Sequence, residues 1–243
     1  MTTPLLGLVD VTRRFGGLVA NDAISFEVAR EEIVGVIGPN GAGKTTLFDV
    51  ITGYYRPDRG RITFQGRDVV GLPPDRINRL GIGRTFQKLR PFPEMTALEN
   101  VMVGALPRQR SLREAEHAAR DALRFVGLED RVDVPAMGLS TGQRKRLELA
   151  RAMVTRPSLL LLDEVTGGVD QRSIPGLLDL VRRLRDQGVT LLVIEHNMRV
   201  IMSLADRIVG LHLGKAVAVG TPQEVSRNPL LVEAYFGKSH VGR

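Results

Sequence analysis

Residues 32–53, EIVGVIGPNGAGKTTLFDVITG, constrain the fold more than any other stretch of the chain. EIVGVIG is a short continuous apolar run, the pattern of a strand buried on both faces of a parallel sheet. KTTLFDVITG reads as a helix that ends at Gly53. Between them GPNGAGKTT, residues 38–46, matches a phosphate-binding loop with Gly38, Gly43, Lys44 and Thr45 in place. The glycines let backbone N–H groups close around phosphate oxygens that side chains would otherwise block. Lys44 supplies a point charge toward the outer phosphates, and the Thr45 hydroxyl can ligate Mg²⁺. Gly38, Pro39, Asn40, Gly41, Ala42, Gly43, Lys44, Thr45 and Thr46 are therefore the first candidate nucleotide contacts.

The flanking segments place this unit in an α/β chain. ISFEV alternates Ile24, Phe26 and Val28, as a half-buried strand does, and GRITFQG at 60–66 is a second strand between glycines. SLREAEHAARDALRFVGL pairs Ser111 with Glu114 in a capping-box pattern. Leu112, Ala115, Ala119, Ala122 and Val126 then share one helical face, with Gly127 as a stop. From about 88 to 150 the chain reads as a helical insertion between two α/β portions. SLLLLDE and TLLVIEH are central parallel strands separated by a helix over roughly 171–187. RIVGLHLGKAVAVG is a hairpin turning at Gly214-Lys215, followed by short helical pieces around Pro222 and Pro229. Internal repeats and low-complexity linkers are absent from the sequence.

A second chemical signal lies in LLLLDEV. Asp163 ends an apolar strand, where open parallel sheets place their ligands, and a carboxylate there can orient a magnesium shell. Glu164 beside it can polarise the water that attacks a γ-phosphate. Two adjacent acids could equally be a solvated strand end, but the phosphate loop in the same chain favours the chemical reading. Together the two motifs indicate a nucleoside triphosphatase.

Bulk properties exclude other classes. With 243 residues the chain can bury a substantial core, and its 43% apolar content is that of a folded globular protein. No cysteine is present, so neither a disulfide framework nor a thiolate metal site can form. The N-terminus MTTPLLGLVD lacks the pattern of a signal peptide, and LLLL and TLLVIE are too short to span a bilayer. The net charge of +7 is spread along the chain and aromatics make up only 5%, so no platform for stacking bases is evident. Direct nucleic-acid binding is not expected.

LSTGQRKRLELARA, from Leu139 to Ala152, narrows the reading. Ser140, Thr141, Gly142 and Gln143 make a small polar cluster ahead of Leu147, Ala150 and Val154, which share a helical face. Such a start suits a capped helix, and it also suits an anion held on exposed N–H groups. Lying about a hundred residues after the phosphate loop and shortly before Asp163-Glu164, LSTGQ resembles the signature motif of ATP-binding-cassette proteins. That resemblance implies a phosphate-loop, RecA-like α/β core with an N-terminal antiparallel β subdomain and an inserted helical subdomain. It divides one domain, 1–243, into 1–87, 88–150 and 151–243. It implies ATP and Mg²⁺ as ligands, and a head-to-tail dimer in which Ser140, Thr141, Gly142 and Gln143 meet the ATP of the other subunit. It places Phe15 on adenine, Gln87 at Mg²⁺ and water as a sensor of the membrane partner, and His196 as a switch at the γ-phosphate. Thr45, Gln87 and Asp163 become the metal set, and Glu164, His196 and Gln87 the catalytic one. Asp170, in GGVD, couples the two sites.

The chain departs from the usual family pattern at Thr141 for glycine, Val165 for proline and Val169 for leucine. None of these removes a charged or ligating group, so an active ATPase is expected. RRFGGLVANDAISFEV, GRTFQKLRPFPEMTALENV, RKRLELARAM and NPLLVEAYFG resemble the larger ATPase of branched-chain (hydrophobic) amino-acid importers. That implies a second cassette, homo- or heterodimeric, two membrane permeases and a periplasmic or lipid-anchored binding protein. The place implied is the cytoplasmic face of a bacterial or archaeal plasma membrane, peripheral to it and soluble when isolated. A lipopolysaccharide-export ATPase is similar in length and carries like stretches, but RTFQ is closer to the importers. A soluble cassette acting on nucleic acid or ribosomes usually carries a coiled coil or two fused cassettes, and neither is present.

Overall fold

Alternating and continuous apolar runs build two different sheets. The computed structural model describes residues 3–86 and 91–236. β1 (Leu6–Phe15) and β2 (Leu18–Val28) pair antiparallel, with Ile24, Phe26 and Val28 buried and Ser25 and Glu27 exposed between them. β3 (Ile33–Ile37) is buried at every position and leads through the glycine loop into α1 (Lys44–Ile51). β4 (Arg59–Phe64) and the short β5 (Arg67–Asp68) then return to the first sheet, whose order is β2-β1-β4-β5.

The remaining elements build the core and a helical lobe. α2 (Pro74–Leu80) leads to β6 (Ile82–Arg84), and α3 (Ala97–Ala105), α4 (Leu112–Phe125) and α5 (Thr141–Met153) follow. Ala97, Val101, Ala115, Ala119, Leu147 and Ala150 from these three helices are buried in one apolar cluster. β7 (Leu159–Asp163), α6 (Ile174–Asp186), β8 (Thr190–Ile194) and α7 (Met198–Leu204) resume the core. β9 (Arg207–His212), β10 (Lys215–Gly220), α8 (Pro222–Ser226) and α9 (Pro229–Phe236) complete the described chain. The second sheet runs β10-β9-β3-β8-β7-β6, parallel throughout except for β10 at its edge. The expected α/β core with an antiparallel N-terminal sheet and a helical lobe is present.

Four local expectations change. The box at the start of α4 is half formed: the Ser111 hydroxyl accepts from the Glu114 N–H, but the Glu114 carboxylate accepts from Arg110 rather than Ser111. Leu112 is 69% exposed, while Leu123 is buried with Ala115, Ala119, Ala122 and Val126. Helical side chains lean toward the N-terminus, so at the first position Leu112 leans beyond the packed face. The hairpin turns at Leu213-Gly214, one residue earlier than expected, because both take positive φ (47° and 79°) and His212 pairs with Lys215. α6 begins at Ile174 rather than near 171, since the Asp170 carboxylate accepts from the amides of Arg172 and Ser173 in the preceding turn.

β7 lies between β8 and the edge strand β6, and every one of its residues is buried. Leu162→Ala should cost about 2–5 kcal/mol in urea unfolding, with the slope unchanged. An unaltered midpoint would contradict this placement of β7.

Candidate functional site

The loop after β3 is shaped by contacts that leave no room for side chains. A Cβ on Gly43 (φ 98°) would lie 2.2 Å from the Ala20 carbonyl oxygen, so only glycine fits. Gly41 (φ 79°) has nothing within 4 Å of the same position and opens into a cleft. α1 starts at this loop with no side-chain cap and no acid in its first turn, whereas α3, α5 and α8 each carry a complete capping box. Its first N–H groups are therefore available to an anion. The Lys44 ammonium donates to the carbonyls of Gly38 (2.7 Å) and Pro39 (3.0 Å), which holds it over the loop. Burial lowers its pKa, and the carboxylates of Glu164 and Asp163 pull it back up.

The acids meet this loop from neighbouring strands. Asp163, at the end of β7, is 2% exposed, and neither carboxylate oxygen has a hydrogen-bond partner among the described residues. Burial raises its pKa, opposed by the Arg84 guanidinium, whose Nη2 lies 3.6 Å away. Glu164 adopts φ 53°, a left-handed conformation that is strained for glutamate. Its Oε1 lies 2.7 Å from Nε2 of His196, which follows β8. The Glu164 N–H donates to the Ile194 carbonyl, which ties the two strand ends together.

A cleft of about 510 Å³ gathers Phe15, Asn40 to Thr46, Glu164 and His196. Gly38 and Pro39 act behind it through their carbonyls on Lys44, and Asp163 is buried below it. The orphaned oxygens of Asp163 and the exposed Thr45 hydroxyl are hard donors of the kind Mg²⁺ takes. Among the described residues no cluster of three or more acids and histidines forms a protein-only cage. That donor set fits a metal shared between one or two protein oxygens and phosphates. Gln87 lies outside the described residues.

At its other end the cleft is apolar. The Phe15 ring packs edge-on against Tyr55 (centroids 5.0 Å apart), with the Arg13 guanidinium 4.7 Å from its centroid. Leu18 and Leu213 line the same end, and sequence reasoning missed both. Leu213 is 75% exposed with positive φ, and the misplaced hairpin turn hid it.

Ser140, Thr141, Gly142, Gln143 and Asp170 do not line this cleft. Ser140 and Gln143 form a complete box at the start of α5: the Gln143 N–H donates to Ser140 Oγ, and the Ser140 N–H to Gln143 Oε1. Helix geometry leaves the Thr141 and Gly142 amides without intrahelical acceptors. A Cβ on Gly142 would meet only Ser173 and Val169, at 3.7 and 3.8 Å, which is ordinary contact. Packing within the chain thus does not require glycine there. Asp170 accepts from Ser173 Oγ (2.7 Å), and these hydrogen bonds lower its pKa. Val165 is buried in the core.

The ABC transporter family matches residues 21–167. The chain is 40% identical to the high-affinity branched-chain amino acid transport ATP-binding protein BraF of Pseudomonas aeruginosa, over 98% of this chain and 100% of that one. It is 39% identical to the corresponding protein LivG of Escherichia coli K12, with the same coverage. The lipopolysaccharide export system ATP-binding protein LptB of Acidithiobacillus ferridurans is 37% identical over 88% of this chain and 89% of that one. A nucleotide-free ATP-binding cassette from an ABC transporter superposes with a TM-score of 0.89 at 30% identity, covering 97% and 100% of the two chains. A dimeric, post-hydrolysis cassette bound to ADP and Pi gives 0.80 at 26% identity, covering 89% and 98%.

The carboxylate of Asp163 sets up a trade between stability and ligand. A carboxyl whose pKa is raised on folding burdens the folded state increasingly as pH rises above its unfolded value. Asp163→Asn should raise, not lower, the melting temperature of the nucleotide-free chain at pH 7.5. It should also remove most of the further rise given by Mg²⁺ with ATP. A lowered melting temperature with the Mg²⁺·ATP rise intact would contradict this reading of Asp163.

Proposed function

The chain belongs to the ABC transporter family of ATP-binding proteins, and we propose that it powers an importer of branched-chain or other hydrophobic amino acids. Its activity is ATP hydrolysis. One observation carries the residue assignment: Lys44 on its loop carbonyls and the 2.7 Å Glu164–His196 contact face a single cleft. The first N–H groups of α1 and the loop bind the β- and γ-phosphates, with Lys44 toward the outer oxygens. Phe15, Leu18 and Leu213 give the nucleobase an apolar seat. Mg²⁺, held by Thr45, Asp163 and Gln87, would neutralise charge on the phosphates. Glu164 takes a proton from the attacking water, and His196 holds the carboxylate in place and orients that water toward the γ-phosphate.

The signature acts on a second subunit. Thr141 and Gly142 present two free amides at a helix start whose glycine has no packing reason within its own chain. A γ-phosphate in a facing cassette supplies the missing acceptor, with Ser140 beside it and Asp170 coupling the two sites. ADP lacks that phosphate, and so the difference in affinity can drive closure and reopening.

Among the described residues no helix is long and apolar enough to cross a membrane. Two permease subunits, a second cassette and a periplasmic or lipid-anchored binding protein complete the proposed system at the cytoplasmic face of a bacterial or archaeal membrane. A groove of about 310 Å³ lined by Tyr54, Phe86, Val103 and Arg151 offers a seat for a permease helix. The amino-acid importer is preferred to lipopolysaccharide export because its ATPases match over nearly the whole chain. Co-expression with the importer permeases of the same genome should yield a complex whose ATPase rises with leucine-loaded binding protein. Capture of lipid-export subunits instead would contradict the substrate assignment.

Glu164→Gln should cut hydrolysis by about 10²–10⁴ while ATP binding is kept; near-normal turnover would remove its role as base. Ser140→Arg, placed in that background, should abolish ATP-driven dimerisation on size exclusion and leave nucleotide binding by the monomer unchanged. Dimers that persist would contradict the trans arrangement.

A further inference from the structure

α5 reaches beyond its own first turn to the residue that performs the chemistry. Lys145, in the second turn of α5, is only 5% exposed. Its ammonium donates to the backbone carbonyl of Glu164 at 2.6 Å. Burying an ammonium is unfavourable unless it is well hydrogen-bonded, so a lysine at this place calls for a reason. The residue it holds is the one with φ 53°, whose side chain must stay on His196.

The same turn is gripped by a second buried charge, close enough to Lys145 for the ammonium to offset part of the cost of burying it. Glu195, 3% exposed, accepts from the Thr166 N–H (2.8 Å) and from the Thr166 hydroxyl (3.0 and 3.1 Å). Glu195 immediately precedes His196, so two successive residues after β8 hold Thr166 and Glu164. The Gly167 N–H also donates to the Glu164 carbonyl, at 3.2 Å, which closes the turn on itself. Holds from β8 fix the turn within the core. The hold from Lys145 comes instead from the helix that begins with Ser140, Thr141 and Gly142.

Five residue steps lead along α5 from Ser140 to Lys145, a rigid rise of about 7.5 Å. A displacement of the first turn is therefore carried to the Lys145 ammonium with little loss. We propose that Lys145 is a positioning residue that makes alignment of Glu164 depend on engagement of the same chain's α5. Each base, already on His196 in the single chain, then takes its final alignment toward the water only when that helix grips the phosphate of the partner's site. This rests on the trans arrangement and on Glu164 as base, as set out under Proposed function. Its consequence is that the two sites fire in a coupled manner, through a contact inside each chain.

The test is steady-state ATP hydrolysis by the full chain with Lys145→Met and Lys145→Arg. The methionine variant is expected to lose at least tenfold in kcat, and its Hill coefficient for ATP should fall toward 1. Its nucleotide affinity as a monomer, and ATP-driven dimerisation in the Glu164→Gln background, should stay within twofold of the parent. Lys145→Arg, which keeps a cationic donor, should recover most of the rate and the cooperativity. A methionine variant with parental kcat and Hill coefficient would overturn the proposal. So would a rate loss that merely follows a lowered melting temperature while cooperativity is unchanged. If the methionine variant is unfolded at the assay temperature, Lys145→Gln replaces it, with the same expected and contrary results. Failure of the underlying reading is seen separately, as hydrolysis undiminished in Glu164→Gln alone, and it would overturn the proposal too.

Discussion

The register between β3, β8 and β7 is the constraint on which the site depends. Val36 pairs with Ile194, and Ile194 pairs with Asp163, so three parallel strands end level with one another. The phosphate loop, the Glu195-His196 pair and the Asp163-Glu164 pair all emerge within two residues of that line. A one-residue slip of any strand would turn its side chains to the opposite face. Side chains fill both faces of all three strands, so a slip would force both packed layers to rearrange. The strand ends that carry the chemistry are thus placed by packing before any ligand is bound, and the final alignment of Glu164 is left to the hold from α5.

Two helix starts divide the work of holding phosphate. α1 begins at a glycine with no side-chain cap, and its first amides face the chain's own cleft. α5 is boxed by Ser140 and Gln143, so the choice between a capped helix and an anion site is not exclusive. The box consumes the Gln143 amide and leaves those of Thr141 and Gly142, whose acceptor in the proposed cycle is outside the chain. The threonine at 141 leaves those amides in place. Its methyl lies beside Gly168, where even an added Cβ would find ordinary contact at 3.8 Å.

Much of this was legible in the sequence because it rests on local pattern. Apolar continuity marked β3, β7 and β8, alternation marked β2, and the glycine loop announced its helix. What escaped depends on the third dimension. Lys145 stands between Arg144 and Arg146 and reads as one more charge on a solvated face, yet it is buried beneath Glu164. Glu195 reads as a strand-end acid, and only the fold brings it to Thr166. Leu112 fits the helical period but lies past the end of the packed face. Leu213 occupies a left-handed turn position that glycine, asparagine or aspartate usually fills, so the residue type pointed away from the turn.

The central claim is a nucleotide site completed by two chains, and a crystal structure of the full chain with Mg²⁺ and a non-hydrolysable ATP analogue tests it directly. The expected result has the β- and γ-phosphates on the loop from Gly38 to Thr46, with Mg²⁺ at Thr45 and Asp163. Ser140 and Gly142 of a facing molecule should lie on the γ-phosphate. A nucleotide fully bound within one chain, with Ser140 and Gly142 facing solvent in both molecules of a closed dimer, would contradict the account.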